Sequence, residues 1–231
     1  MFLNKSDAYQ NISIMKFSLN LLLIIGLFPI YSIAQSHYKQ GYLVKSNGDT
    51  IHGYIDYRAW DLNPTSIKFK LPKEGKVETF NIYDLDSFGI DHITSYKKYT
   101  VMISMNDINP DHMTEFRDTS FRIATVFLKL LQKGENLILY SYSDGIKERF
   151  YLGETPKYEP VELIYRLYYD LNAVTLDHGR TVNENTYMKQ LYTMAMKYTN
   201  MSVSLQRDIE DADYQEYKLF KIVKKINNLS K

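Results

Sequence analysis

The chain of 231 residues contains no cysteine. That absence excludes disulfides, cysteine-ligated zinc, iron–sulfur clusters, a thiol nucleophile and a lipidated N-terminal cysteine. An excess of one charge is missing too: 28 Lys and Arg stand against 27 Asp and Glu, for a formal net charge of +1. The chain therefore carries no electrostatic signature for nucleic acid or an anionic membrane. No G-x-S-x-G elbow and no HxH or HExxH spacing occurs, so the common hydrolase and zinc-enzyme signatures are lacking. Beyond the first thirty-odd residues no segment is long and apolar enough for a transmembrane helix. Hydrophobic residues at 45% and charged residues at 24% are ordinary for a globular protein, which argues against disorder.

The most specific feature lies near the start. Lys16 follows Met15 and precedes the apolar run Phe17 to Ile30, with Pro29 at its end. Ser32-Ile33-Ala34 then offers small residues at the −3 and −1 positions of a cleavage site. Basic, apolar and small-residue regions in that order predict a secretory signal peptide over residues 1–34, cut between Ala34 and Gln35. An uncleaved N-terminal anchor is the rival reading. Residues 1–14 are polar and fit neither, so translation is expected to start at Met15. Removing residues 1–34 takes away Lys5, Lys16 and Asp7, which leaves basic and acidic side chains equal in number. The expected location is the periplasm or the exterior of a bacterium, where a chain without cysteine must hold its core without staples.

Residues 35–156 read as the β-rich part. Gly41-Tyr-Leu-Val-Lys and Thr50-Ile-His-Gly-Tyr-Ile-Asp flank Ser46-Asn47-Gly48-Asp49, a strong hairpin signal. Ile67, Phe69 and Leu71 alternate along one strand, and Lys76 to Ile82 forms the next. Asp84-Leu-Asp-Ser-Phe-Gly reads as a turn or one helical turn. Further strands are expected at 93–104, 121–131, 136–143 and 147–152, with a polar loop at 105–119 and a hairpin at Ser143-Asp144-Gly145. From residue 157 the period turns helical: Pro160 suits a first turn, and Leu163, Ile164, Leu167, Tyr168 and Leu171 form one stripe. Second and third helices are expected at 184–199, capped by Asn183, and at about 212–228, capped by Asp211. Strands followed by helices predict an α+β fold: a mainly antiparallel twisted sheet or small barrel, with about three helices of the 157–231 part packed on it as one structural unit.

Several phrases resemble an uncharacterised family of secreted proteins from Bacteroidota-type bacteria. They are Gly41-Tyr-Leu-Val-Lys-Ser-Asn-Gly-Asp-Thr-Ile-His-Gly-Tyr-Ile-Asp, Asn63-Pro-Thr-Ser-Ile-Lys-Phe-Lys, Asp84-Leu-Asp-Ser-Phe-Gly and Val126-Phe-Leu-Lys-Leu-Leu-Gln-Lys-Gly-Glu-Asn-Leu-Ile-Leu-Tyr. Leu163-Ile-Tyr-Arg and Tyr187-Met-Lys-Gln-Leu look like its later part, so the resemblance spans most of residues 38–228. It implies an envelope location and, by analogy with some relatives, a periplasmic module that precedes an outer-membrane β-barrel. It supplies no catalytic motif. After the last helix the chain has no barrel-like strands, so a barrel partner would be a separate chain.

The remaining chemistry is weighed against plain structural roles. Gly48-Asp-Thr-Ile-His-Gly53 has the glycines of a phosphate loop but Tyr54 where a lysine is needed, and reads as a turn and a strand glycine. Asp91-His92, Asp111-His112 and Asp177-His178 offer metal-ligand types, but adjacent strand residues point to opposite faces. Asp208, Glu210, Asp211 and Asp213 lack a calcium loop's glycine and terminal Glu, and read as a solvated turn and helix start. Glu148, Glu154 and Asp144 are carboxylates of the type that cleaves glycosides, with no spacing that singles them out. No cofactor is expected. The unusual composition is 21 tyrosines against one tryptophan. Tyrosine gives a flat apolar face and a polar tip, suited to sheet packing or to a binding surface. The candidate surface is Trp60, Tyr140, Tyr142 and Tyr151. The expected function is a non-catalytic envelope module that binds a protein, a glycan or another envelope component. The alternatives are a hydrolase of envelope polymers and an accessory subunit of an outer-membrane barrel.

Overall fold

In the computed structural model, residues 37–157, 159–172, 180–198 and 201–230 are described. The leader with its Ala34/Gln35 junction, and the Asp177-His178 pair, lie outside the described residues. Strand β1 (Tyr38–Lys45) turns at Gly48, whose φ of 90° places it in the left-handed region that favours glycine. Gly48 N–H donates to Lys45 O at 2.8 Å and Lys45 N–H to Asp49 O at 2.8 Å, so β2 (Thr50–Asp56) folds back with Leu43 opposite Ile51. Strands β3 (Ser66–Lys70) and β4 (Val77–Asn81) extend the meander to one edge. The chain then returns to lay β5 (Leu85–Ile90) on the free side of β1.

From there a second meander runs outward through β6 (Thr94–Ser104), β7 (Phe121–Lys133), β8 (Leu137–Ser143), β9 (Glu148–Glu154) and β10 (Val161–Leu163). The result is one ten-stranded antiparallel sheet in the order β10-β9-β8-β7-β6-β5-β1-β2-β3-β4. A separate hairpin pairs β11 (Arg166–Asp170) with β12 (Arg180–Glu184). Helices α1 (Thr186–Ala195), α2 (Val203–Glu210) and α3 (Glu216–Asn227) follow. The α+β class therefore holds, with the helices at the C-terminal end of the chain.

Two local expectations are corrected. Of the phrase 84–89, expected as a turn or one helical turn, only Asp84 is in a turn; Leu85–Ile90 is a central strand. Leu85, Phe88, Gly89 and Ile90 are buried on both faces between β1 and β6, so no simple alternation marks them. The helical part begins at Thr186, not at 157. Leu163, Leu167 and Tyr168 of the stripe are built into β10 and β11, where pairing with β9 and β12 outweighs a period that suits a helix equally well. Cap positions shift accordingly. Asn183 lies in β12 and Asn185 precedes α1, while Asp211 ends α2 and Gln215 precedes α3. Helix α2 was not anticipated; Ser202 caps it by accepting from Leu205 N–H at 3.1 Å.

Alternation sorts the sheet into faces. Leu137, Leu139, Phe150, Leu152 and Leu163 pack under the helices with Leu191, Ile209, Leu219, Val223 and Ile226. The intervening residues Ile138, Tyr140, Tyr142 and Tyr151 point the other way and join Val101, Ile103 and Leu128 in a second core. That second core exists because the β6–β10 half curls. Tyr151 Oη donates to Met102 O at 3.1 Å, reaching from β9 back to the end of β6. A third core, built on Leu43, Ile55, Phe69, Phe88 and Phe127, holds the β1–β5 half. The β2–β3 loop crosses this half, with Trp60 against Phe88 (6.1 Å) and Tyr96 (5.9 Å).

Candidate functional site

Two places in the fold gather polar chemistry, and they differ in access. The first is a sealed cluster where the curled half closes. Arg149 is fully buried; its Nε and Nη2 donate to Ser104 O at 2.9 and 2.7 Å, and its Nη1 donates to Asp144 Oδ1 at 2.9 Å and to Lys147 O at 3.0 Å. Glu162 on β10 accepts from Ser104 N–H at 2.9 Å and from Ser104 Oγ, and lies 4.0 Å from Arg149 Nε. Lys147, 6% exposed, donates to Asn106 Oδ1 at 2.8 Å and to Tyr165 O at 3.3 Å. Burial pulls the Lys147 ammonium down to about 8, against the opposing pull of Glu162. These groups replace the ladder that β6 and β10 do not form. With every member hydrogen-bonded inside the protein, the cluster closes the fold and offers no face to a substrate.

The second place is open. On the inner face of the curl, β1, β5, β6, β7 and β8 border a groove of about 310 Å³. Tyr99 and Tyr140 form its floor, with ring centroids 5.4 Å apart and hydroxyls 2.9 Å apart. Lys97, two residues from Tyr99 on β6 and hence on the same face, holds its ammonium 5.4 Å from the Tyr99 ring centre. Lys133 at the end of β7 stands on the opposite rim. Both lysines are exposed, and among the described residues neither has a carboxylate partner. Tyr42 forms a further wall. It sits opposite Gly89 on β5, and a Cβ at Gly89 would fall 2.6 Å from the Tyr42 ring, so the glycine is what lets that ring approach the β5 backbone. Ser87 and Ser95 add hydroxyls, and among the described residues no carboxylate lines the groove.

The sequence-derived candidates are distributed unevenly over this geometry. Tyr140 lies in the groove floor but is only 3% exposed. Tyr142 and Tyr151, 8% and 0% exposed, lie deeper in the curl beside the sealed cluster. Trp60 packs on Phe88, whose chain neighbour Ser87 lines the groove, so Trp60 lies on the other face of the sheet. The four residues therefore do not share one surface. Tyr42, Lys97, Tyr99 and Lys133 were not singled out from sequence. The available signal was the i, i+2 pair Lys97 and Tyr99 inside a predicted strand.

Other candidates take structural roles. His92 occupies the β5–β6 turn at φ 60°, and His112 Nδ1 lies 3.1 Å from Asp107 Oδ2. Among the described residues no group of three or more metal-ligating side chains converges. Glu154 pairs with Lys197 at 2.6 Å, Asp144 holds Arg149, and Glu148 faces Glu216 and Lys129, with its carboxyl raised by burial. A larger hollow of about 510 Å³ lies between α2 and α3, and its lining mixes the two signs: Asp208 and Asp211 stand among its lysines, with Lys225 paired to Asp208, Lys218 to Asp213 and Lys221 over the Tyr217 ring. Gly48 and Gly53 are a hairpin turn and a strand glycine under the Phe69 ring. Comparison of the chain with protein-family models, with curated proteins and with solved structures finds no match.

Proposed function

We propose that this protein is a non-catalytic binding module, exported to the periplasm or cell exterior, that holds an envelope component in the Tyr42/Tyr99/Tyr140 groove. The observation that carries this reading is the contrast between the two polar places. The catalytic residue types (a lysine drawn down to about 8, a buried Glu, a buried Arg) are sealed and mutually satisfied. The accessible concavity instead offers flat rings, hydroxyls and two lysines without carboxylate partners. Such a lining binds and orients but contains no base, nucleophile pair or metal-ligand set. The export reading rests on the basic, apolar and small-residue order of residues 16–34.

The test is retention on cell-envelope material. The Lys97→Glu/Lys133→Glu double variant changes only exposed rim charges, and its retention is expected to fall at least about tenfold, as a lost charged contact does. Lys221→Glu on α3 is expected to leave retention unchanged. Retention that ignores the rim charges, or turnover of an envelope polymer by the purified protein, would sink the reading.

A further inference from the structure

Resting on that reading of the groove, we infer that its ligand is an anionic saccharide: a pyranose bearing a carboxylate or a phosphate. The sign comes first. Among the described residues the lining holds two ammonium groups and no carboxylate, in a chain whose net charge is only +1, so the positive potential is local to the groove. The shape comes second. Tyr42, packed against Gly89, is half-buried and lines the groove, and a tyrosine ring offers the flat apolar surface on which the C–H face of a sugar ring packs. The hydrogen-bonding inventory comes third. The Ser87 and Ser95 hydroxyls and that of half-buried Tyr99 both donate and accept, which matches ring hydroxyls that do the same. Size agrees: about 310 Å³ sits at the small end of ligand sites and suits one or two sugar rings.

The same lining argues against other anions. Leu130 and Ile138 are its aliphatic residues, too few for an acyl chain. It has no Asn, Gln, Asp or Glu to read the edge of a nucleobase, and no glycine-rich turn or helix start to cradle a nucleotide's phosphates.

The test is calorimetric titration of the purified protein with four probes: a uronic acid tetrasaccharide, a glucose phosphate, a neutral tetrasaccharide and AMP. Heat is expected from at least one of the two anionic sugars, which also tells carboxylate from phosphate, and none from the neutral sugar at the same concentration. The affinity should weaken with salt. Lys97→Met and Lys133→Met should each weaken it at least about tenfold, the scale of a charged hydrogen bond. Lys221→Met should have no effect. Equal binding of the neutral sugar, preference for AMP, or binding indifferent to both rim lysines overturns the inference. If no anionic sugar binds while envelope retention still depends on Lys97 and Lys133, the saccharide assignment falls and the binding reading stands. If retention is lost as a groove property too, both fall.

Discussion

Arg149 is the most demanding residue in the molecule, a guanidinium with no exposure whose donors are taken by Ser104 O, Asp144 and Lys147 O. A charge in that position is tolerable because Asp144 and Glu162 compensate it and because its donors are hydrogen-bonded. Removing the compensation is therefore costly: Glu162→Ala should lower the unfolding free energy by about 3–5 kcal/mol, measured by urea titration. Lys147 shares the cluster and carries a pH signature. Its folded pKa of about 8 lies below the ordinary 10.5, mainly because burial disfavours the ammonium. Between pH 8 and 10.5 the unfolded chain holds more protons than the folded one, so this residue makes stability rise with pH in that window. Lys147→Met should abolish the rise measured between pH 8 and about 9.5, the part of the window below ordinary tyrosine ionisation. Glu184 gives a slope of the same sign at the acid end. Arg117 and Arg166 hold its carboxyl down to about 2 from 4.5, so its contribution is present above pH 4.5 and is lost as pH falls toward 2.

At the scale of elements, the question is how a helical end is fixed to a sheet. Asn227, the last residue of α3, accepts from Asn136 N–H at 3.1 Å and from Leu137 N–H at 2.7 Å, and donates to Leu137 O at 3.1 Å. Asn136 returns the contact by donating to Ile226 O at 3.0 Å and Leu229 O at 2.9 Å, which satisfies carbonyls that the helix terminus leaves open. The pair clasps the β7–β8 turn to the helix. Gly134 in that turn makes room for it, since a Cβ there would lie 2.0 Å from Asn227 Cγ. Asn227→Ala should cost about 2–3 kcal/mol by chemical denaturation, because it strands the backbone donors of Asn136 and Leu137. Gly134→Ala should produce a comparable loss through the same clasp, with α3 becoming the first element to exchange its amide hydrogens.

For the whole molecule, residues 37–231 form one compact unit, although three cores lie along its sheet. Their continuity comes from long strands and from one loop. Asn63, in the β2–β3 connection, donates through Nδ2 to Phe127 O at 2.6 Å and to Ser141 O at 3.3 Å, and accepts Ser143 N–H at 2.9 Å. It wedges between β7 and β8 and ties the β1–β5 half to the curled half. Trp60 rides on the same loop and, as the chain's one tryptophan, reports its docking. Asn63→Ala should shift Trp60 emission to longer wavelength and cost about 1–3 kcal/mol, while far-UV circular dichroism stays near that of the parent. In the parent protein, Trp60 fluorescence and helical dichroism should lose their signals at the same denaturant concentration, as one cooperative unit requires.

Sequence alone determined the features whose causes are local. The Asn47-Gly48 hairpin followed from a glycine that can take positive φ, and the strands of residues 93–152 followed from alternation. The last helix followed from its apolar stripe of Leu219, Val223 and Ile226. Tertiary structure decided what depends on partners distant in the chain. Leu163 and Leu167 satisfy a helical period, and it was β9 and β12 that made them strand residues. Tyr140, Tyr142 and Tyr151 alternate as a surface or a core would; the curl that brings Met102 within reach of Tyr151 made them core. The groove arose by the same route. Tyr42, Lys97 and Lys133 come from three strands and acquire a shared purpose only through register and curvature, which no single segment of the chain encodes.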